Sequence, residues 1–148
     1  MSTYAFSNVS ATLLGPGGTI SLGNGAGNAD EGITIDMNDD KDTMTVGADG
    51  TIMHSLHASK AATITVRLLK TSPVNAQLSQ LYQAQAISSA LWGKNTLAVA
   101  DATRGDIIAG TDIAFKRHTP VTYAKEGGIQ EWRFHGAVTQ LLGTGINV

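Results

Sequence analysis

Short segments in which apolar and polar residues alternate recur along the chain, and glycine-containing turns separate them. This pattern predicts antiparallel β-strands. In residues 32–38, for example, every second side chain is apolar, which is typical of a strand with one buried face. We expect strands at 5–14, 19–23, 32–38, 43–47, 51–57, 61–69, 95–100, 107–117 and 129–138. The segments GPGG (15–18) and Ala48-Asp49-Gly50 are predicted to be hairpin turns.

The last predicted strand has two faces that the sequence distinguishes. Trp132 and Phe134 alternate with Glu131, Arg133 and His135. Residues two apart on a strand point to the same side of the sheet. We therefore expect Trp132 and Phe134 to be core residues.

One helix is predicted, over residues 73–88. Ser72 has the side chain of an N-cap residue, and Pro73 suits the first helical position. An apolar stripe is formed by Val74, Leu78, Leu81 and Tyr82. The other side carries uncharged polar residues, namely Gln77, Ser79, Gln80, Gln83 and Gln85, and no charged residue lies between Lys70 and Lys94. Since a solvated helix normally carries lysine and glutamate, we expect Gln77, Gln80 and Gln83 to contact another protein; a solvated glutamine-rich face is the alternative.

These elements predict a single domain spanning residues 1–148 and a mainly β fold, an antiparallel β-sandwich or β-barrel with one flanking α-helix. Only 15% of the residues are charged, against about a quarter in ordinary soluble proteins. Either copies of the chain cover much of the surface, or the surface is neutral and rich in threonine, serine and asparagine.

Charge is distributed unevenly along the chain. Residues 1–29 carry none, residues 30–49 hold seven acidic residues and one lysine, and the remainder holds nine basic and five acidic residues. The net charge of −2 argues against tight nucleic-acid binding, which relies on basic side chains. There is no cysteine, which excludes disulfides and thiolate metal sites and suits assembly in a reducing cytoplasm. The sequence shows neither a secretion signal nor an apolar run of membrane-spanning length, so we expect no membrane anchor.

Three segments superficially match motifs for bound ions. The series Asp36, Asn38, Asp40 and Asp42 has the spacing of a calcium loop, but Lys41 and Gly47 replace its required glycine and glutamate. His54 and His57 suggest a metal-binding pair, but residues three apart on a strand point to opposite faces and cannot bind one ion. The glycines of residues 23–27 superficially match a phosphate-binding loop, but an acidic segment follows them where such a loop requires a helix N-terminus. We predict no catalytic site, metal site or cofactor.

Several long segments resemble one protein family: GITIDM (32–37), DKDTMTVGADG (40–50), MHSLHA (53–58), TVRLLKTSPVNAQLSQLY (65–82) and SALWG (89–93). With GPGG (15–18) and YAKEGGIQEW (123–132), they make the chain similar to the tail tube proteins of contractile-tailed phages. The resemblance implies a structural virion subunit in the tail, assembled in the host cytoplasm. Such subunits form hexameric rings whose strands join into one inner barrel, and the rings stack into a conduit for DNA delivery.

The partners that the resemblance implies are further copies of the chain, the tail sheath, the tape measure and baseplate proteins, and DNA that passes without specific binding. The acidic residues Asp39, Asp40 and Asp42 are expected to contact the next ring, with Lys60, Arg104, Lys116 or Arg117 as their partners. Repulsion of DNA in the lumen is the other role left open for these acids. A β-sandwich binding module, for instance for carbohydrate, is the alternative to a tube subunit; the low aromatic content of 5% weighs against it.

Overall fold

The computed structural model of the chain describes residues 4–23, 28–101 and 103–143. Their strands are β1 (Val9–Gly15), β2 (Gly18–Ser21), β3 (Asn28–Met37), β4 (Asp42–Val46), β5 (Ile52–Leu56), β6 (Ala61–Leu69), β7 (Asn95–Asp101), β8 (Asp106–Arg117) and β9 (Ile129–Leu141). The helix α1 (Val74–Gln85) lies between β6 and β7, and a single 3₁₀ turn (Phe6–Asn8) precedes β1. The predicted mainly β fold with one helix is confirmed.

Seven strands form one antiparallel sheet in the order β2-β1-β7-β8-β9-β6-β3. The hairpin β4–β5 forms a separate two-stranded sheet. Within the described residues β2 and β3 do not pair with each other, so the large sheet is not a closed barrel. With α1 packed against one of its faces, the arrangement fits the sandwich-like form of the prediction.

The core lies between α1 and one face of the seven-stranded sheet. Trp132 and Phe134 are each only 1% exposed, as their alternation with polar residues predicts. The ring of Phe115 lies 4.8 Å from that of Phe134, and Tyr82 of α1 contacts Phe115 edge-on at 5.5 Å. Inward-facing residues of β1, β2, β6, β7, β8 and β9 belong to the same cluster. One continuous core therefore holds the helix and both halves of the sheet together.

The helix begins one residue after the predicted start and ends three residues before the predicted end. The Ser72 Oγ accepts a hydrogen bond from the Val74 N–H at 3.3 Å, and Pro73 has helical angles. The α1 helix ends at Gln85, three residues before the expected end. Gln85 was expected on the outer side, but it is fully buried. Its side chain exchanges two hydrogen bonds with that of Asn95, at 2.7 and 2.9 Å.

The buried side-chain amides of Gln85 and Asn95 also contact the first predicted turn, GPGG (15–18). Gln85 Nε2 lies 3.3 Å from the carbonyl oxygen of Pro16, and Asn95 Nδ2 donates to the carbonyl oxygen of Ile113 at 3.0 Å. A β-carbon on Gly15 would collide with the Asn95 side chain. The pair therefore fixes the C-terminal end of α1 to the β1–β2 hairpin, and Gly15 is required for that close approach.

Candidate assembly surfaces

The two edges of the large sheet are the first candidate surface. An edge strand presents unpaired backbone N–H and C=O groups, which bind readily to another strand. The structure pairs β2 only with β1, and β3 only with β6, along the parts of the chain that it describes. The edge strand β2 is four residues long and carries no charge. Each subunit thus has two different edges available for pairing.

The β4–β5 hairpin is the second candidate surface, and its two faces differ. Strand pairing places Met44, Val46, Ile52 and Leu56 on one face, with exposed fractions of 56%, 56%, 54% and 81%. The opposite face is formed mainly by threonine and serine, with Met53 as its one large apolar residue. None of the hairpin residues belongs to the hydrophobic core. The first face also carries Asp42 and His54, so four exposed apolar residues share it with a hydrogen-bonded polar pair. The alternation of residues 43–46 and 52–56 indicates its apolar part.

Polar side chains at the base of the hairpin bond to one another. His54 Nδ1 lies 2.8 Å from Asp42 Oδ2, and His57 Nε2 lies 2.7 Å from Thr43 Oγ1. The two imidazoles bond to residues on opposite hairpin faces, as their spacing predicts. Asp39 accepts a hydrogen bond from Ser59 Oγ at 2.7 Å.

The residues that match the calcium-loop spacing do not gather around one point. Asn38 accepts a hydrogen bond from Thr63 Oγ1, Asp42 contacts His54, and Asp36 lies within β3. Across the described ranges, no group of three or more histidine, aspartate or glutamate side chains is arranged to hold a metal ion. Most of the glycine-rich segment 23–27 lies outside the described residues.

At the hairpin tip, the predicted turn is confirmed. Gly50 has a φ angle of 89°, which favours glycine, and the Gly47 N–H donates to the Thr51 carbonyl oxygen at 2.7 Å. Hydrogen bonds from Thr51, chiefly from its backbone N–H, hold the pKa of Asp49 below its usual value. The tip is therefore a defined turn that carries one ionised carboxylate.

A groove between α1 and the edge strand β2 is the third candidate surface. It has a volume of about 280 Å³ and is lined by Gly17, Gly18, Thr19, Ile20, Gln77, Gln80, Leu81 and Ala84. No lining residue is charged, and its buried apolar residues are Ile20 and Leu81. Gln77 and Gln80 thus lie beside the groove. Gln83 is exposed and is not part of the lining.

The sheet face opposite α1 carries a small charge network. Arg133 contacts Glu131 at 2.6 Å, and Arg67 approaches the other oxygen of Glu131 at 3.3 Å. The hydrogen bond from Arg133, supported by the charges of both arginines, lowers the pKa of Glu131. Glu131 is therefore ionised at neutral pH and neutralises part of the positive charge on this face.

The residues predicted to contact the next ring lie at both ends of the sheet. Lys60 precedes β6 at the base of the hairpin, and Arg104 lies in the β7–β8 turn, at the end of the sheet where the hairpin departs. Lys116 and Arg117 lie at the opposite end of β8. Asp39, Asp40 and Asp42 are all exposed. The structure thus places two of the four basic candidates at the same end of the sheet as the acidic residues and the other two at the opposite end.

Two further histidines, His118 and His135, lie in different surroundings. His118 is half-buried between the rings of Tyr82 and Trp132, at centroid distances of 5.5 and 4.9 Å. His135 is exposed.

Along the described chain, α1 is too short and too polar to cross a membrane, and no other helix has the required length.

The family model described as "Bacteriophage PhiTE tail tube protein" matches residues 1–143. The chain belongs to this family. The resemblance seen in the sequence is thereby confirmed, and a tail tube subunit, a structural component of a virion, replaces the carbohydrate-binding module as the interpretation of the fold. No curated protein matches the chain.

Solved structures with a similar fold include other tube assemblies. The tail of an empty GTA particle with C6 symmetry matches with a TM-score of 0.57 and 14% identity, over 96% of this chain and 100% of that one. The sheath-tube complex of an extracellular contractile injection system, PVC, matches with a TM-score of 0.53 and 11% identity, over 89% and 88%. The tube-terminating cap of the anti-feeding prophage matches with a TM-score of 0.50 and 11% identity, over 95% and 93%. At these identities the matches show that the tail tube protein shares the fold of those proteins.

Proposed function

We propose that the chain forms hexameric rings that stack into the tube of a phage tail and conduct DNA during its delivery. The observation that carries the proposal is the open seven-stranded sheet with an unpaired edge on each side, in a protein of the tail tube family. Joining the β2 edge of one copy to the β3 edge of the next pairs both edges of every subunit. The C6 symmetry of the similar GTA tail supports six copies in a ring.

Joining unlike edges gives a heterologous contact, which closes into a ring when the rotation between subunits fits. Such closure pairs both free edges of the large sheet and lowers its tendency to aggregate. The low content of charged residues agrees with this, because surfaces covered by neighbouring subunits need little charge. The structural role in a ring requires no catalytic residue, and we infer that the chain is not an enzyme.

Head-to-tail stacking of rings requires that the two ends of a subunit be complementary. The two ends of the large sheet differ in the sign of their net charge. The connections at the hairpin end, residues 38–60 and 101–106, hold six acidic and three basic residues. At the other end, residues 70–94 and 116–128 hold five basic residues and one acidic residue. Since a head-to-tail stack brings opposite ends together, Lys116 and Arg117 are the partners that we propose for Asp39, Asp40 and Asp42. Lys60 and Arg104 lie at the same end as these acids, so we do not propose them for this contact.

Replacing Asp39, Asp40 and Asp42 together with lysine is expected to leave the subunit folded and to shorten or abolish tubes. Each exposed ion pair contributes only about 0–1 kcal/mol, but the contact repeats six times in each ring. Salt should weaken it, because these charges are exposed. Tube length, measured by electron microscopy at low and high salt, reports the effect.

The matched control for this variant reverses both ends. Adding Lys116→Asp and Arg117→Asp to the triple variant restores opposite charges and should restore tubes. Lys60→Asp and Arg104→Asp in the same background should not. Tubes of normal length in the triple variant at every salt concentration would exclude the stacking role and favour repulsion of DNA as the role of these acids.

Other components of the particle follow from the same assembly. We propose that the tail sheath surrounds the stacked rings, as in the similar sheath-tube complex, and that tape measure and baseplate proteins contact the tube at its interior and end. Assembly takes place in the host cytoplasm. DNA passes without specific binding, which agrees with the net charge of −2, because tight binding relies on an excess of basic side chains.

Negative-stain electron microscopy of the purified chain tests the central proposal. Rings with six-fold symmetry, alone or stacked into tubes, are the expected result. A chain that remains monomeric at high concentration, both by microscopy and by light scattering, would contradict ring formation.

A further inference from the structure

Like charges lie next to each other on the sheet face opposite α1. Strand register pairs Arg117 of β8 directly with Arg133 of β9. Like charges in directly opposite positions destabilise a sheet. Glu131 compensates for them only in part, because it already contacts Arg133 at 2.6 Å and Arg67 at 3.3 Å. Three arginines and one glutamate therefore leave a surplus of two positive charges at this place.

Arg117 lacks a compensating anion of its own. Across the described ranges its guanidinium has no ion-pair or hydrogen-bond partner, and the residue is exposed. It borders a notch of about 180 Å³ whose other lining residues are Pro120, Glu131 and Arg133. A guanidinium presents N–H donors in a planar fork that matches the oxygens of a phosphate or a carboxylate. The notch therefore offers free donors to an anionic group.

The remainder of this face is largely uncharged. Its middle is crossed by a row of small side chains on β1, β7, β8 and β9, namely Thr12, Ala98, Ala109 and Thr139. Asp36 lies on the same face, but on the edge strand β3, two strands away from Arg133. Asp112 lies in the irregular middle part of β8. The surplus positive charge is therefore concentrated near the end of the sheet at which β8 ends.

In the proposed ring, the face opposite α1 is the one that lines the channel. Edge-to-edge pairing leaves every sheet with one face toward the ring axis and one face outward. The α1 helix packs on one of these faces, and a helix with its side chains is about 10–12 Å in diameter. A layer of six helices finds more room outside the sheet than between the sheet and the axis. The uncovered face therefore points inward, and Arg67, Arg117 and Arg133 of all copies form an arginine belt around the channel.

We propose that the arginine belt contacts the phosphate backbone of DNA as the DNA passes through the tube. This inference rests on the proposed function and names the surface that the DNA touches. Phosphate oxygens are well matched to guanidinium groups, which bind them with paired hydrogen bonds. Such contacts carry no sequence information, so any stretch of DNA is bound equally. Glu131 limits the surplus charge, and salt screens exposed contacts of this kind, so the belt can touch DNA without stopping its movement.

Binding of a short fluorescent DNA duplex to assembled tubes tests this contact. Co-sedimentation at several salt concentrations gives the affinity and its salt dependence. Arg133→Gln is expected to lower the affinity by about tenfold or more and to flatten the salt dependence, because each subunit loses a phosphate contact. Glu131→Gln is expected to raise the affinity, since it removes the acid that neutralises the arginines. Arg67→Gln provides a second loss of charge should Arg133→Gln fail to assemble.

The matched control is Lys94→Gln. It removes one exposed positive charge from the connection between α1 and β7, outside the belt, and should leave the affinity nearly unchanged. Arg117 stays unaltered in all these variants, because it lies where the belt reaches the stacking end and is also proposed to contact the acidic residues of the next ring.

Two further probes identify the place and the occupant. A duplex that carries streptavidin at both ends is too wide to enter the channel and should not bind. Equal binding of the open and the closed duplex would overturn the placement in the channel. Polyglutamate bound more tightly than the duplex, at equal concentration of charge, would overturn DNA as the occupant and favour an acidic segment of a protein.

Tubes of normal length that bind no duplex would also overturn the inference. So would an affinity that neither Arg133→Gln nor Glu131→Gln alters. In those cases the ring itself still stands. A chain without any substitution that never forms rings would instead overturn the proposed function, and this inference with it.

Discussion

Replacing Phe134 with alanine is expected to lower the free energy of unfolding by about 3–5 kcal/mol, the usual cost of removing a fully buried aromatic ring. The Phe134 side chain is only 1% exposed and packs on Phe115 from the middle of the sheet. It pairs across strands with Ile64, itself fully buried, so a cavity at this position has little room to collapse. Urea denaturation of the monomer, followed by fluorescence or circular dichroism, measures the change.

The neighbouring residue supplies the control. His135→Ala removes an exposed side chain from the other face of the same strand, and surface changes of this kind usually alter stability by no more than about 0.5 kcal/mol. A small effect at Phe134 together with a large effect at His135 would mean that the two faces of β9 have been assigned the wrong way round.

Replacing Asn95 with alanine is expected to cost about 2–4 kcal/mol of unfolding free energy. The Gln85 side-chain oxygen would lose its donor while remaining fully buried, and an unsatisfied buried polar group costs about 1–3 kcal/mol. Loss of the hydrogen bond from Asn95 to the Ile113 carbonyl oxygen and the cavity left by the amide add to this. Asn8→Ala, at an exposed position, is the matched control and should be nearly neutral.

A double variant separates the hydrogen bonds of the pair from its packing. Gln85→Met with Asn95→Leu replaces both amides with apolar groups of similar shape, which is often close to neutral. The double variant should therefore lose less stability than the sum of the two single changes. Additive losses would show that the amides do not act as a pair, and that Asn95 contributes only through its own contacts.

The large sheet could be predicted from the sequence because each of its strands has one buried face. Alternation identified Trp132 and Phe134 as core residues and placed Glu131 and Arg133 on the other side, and the structure agrees. Turn chemistry located both hairpins, since the Pro16-Gly17 and Asp49-Gly50 pairs suit tight turns. Signals of this kind depend only on residues that are close together in the sequence, so they can be recognised without the structure.

Features that depend on distant partners could not be predicted. Gln85 is polar, and only its contact with Asn95, which lies on β7, explains why it is buried. His118 is isolated in sequence, and the fold places it between aromatic rings from α1 and β9. Burial of a polar side chain is decided by the partner that the fold brings to it.

The assembly surfaces were predicted only in part. Uneven charge and the uncharged side of α1 pointed to contacts, but sequence position does not tell which end of the sheet a residue occupies. Strand register supplied that information and separated Lys116 and Arg117 from Lys60 and Arg104. The groove beside β2 joins residues about 60 positions apart in the chain, so no local pattern indicates it.

The position of the β4–β5 hairpin outside the core has a consequence for how such a subunit changes over generations. Substitutions within the core are limited by the small stability margin of a folded domain, whereas surface substitutions in the hairpin usually change stability by no more than about 0.5 kcal/mol. Selection can therefore alter the exposed surface of the hairpin without first risking misfolding. A change at such a surface is enough to discriminate between partners, because discrimination requires only that the wrong pair fit badly. The outer surface of the hairpin and the packing of the core are set by separate stretches of this sequence.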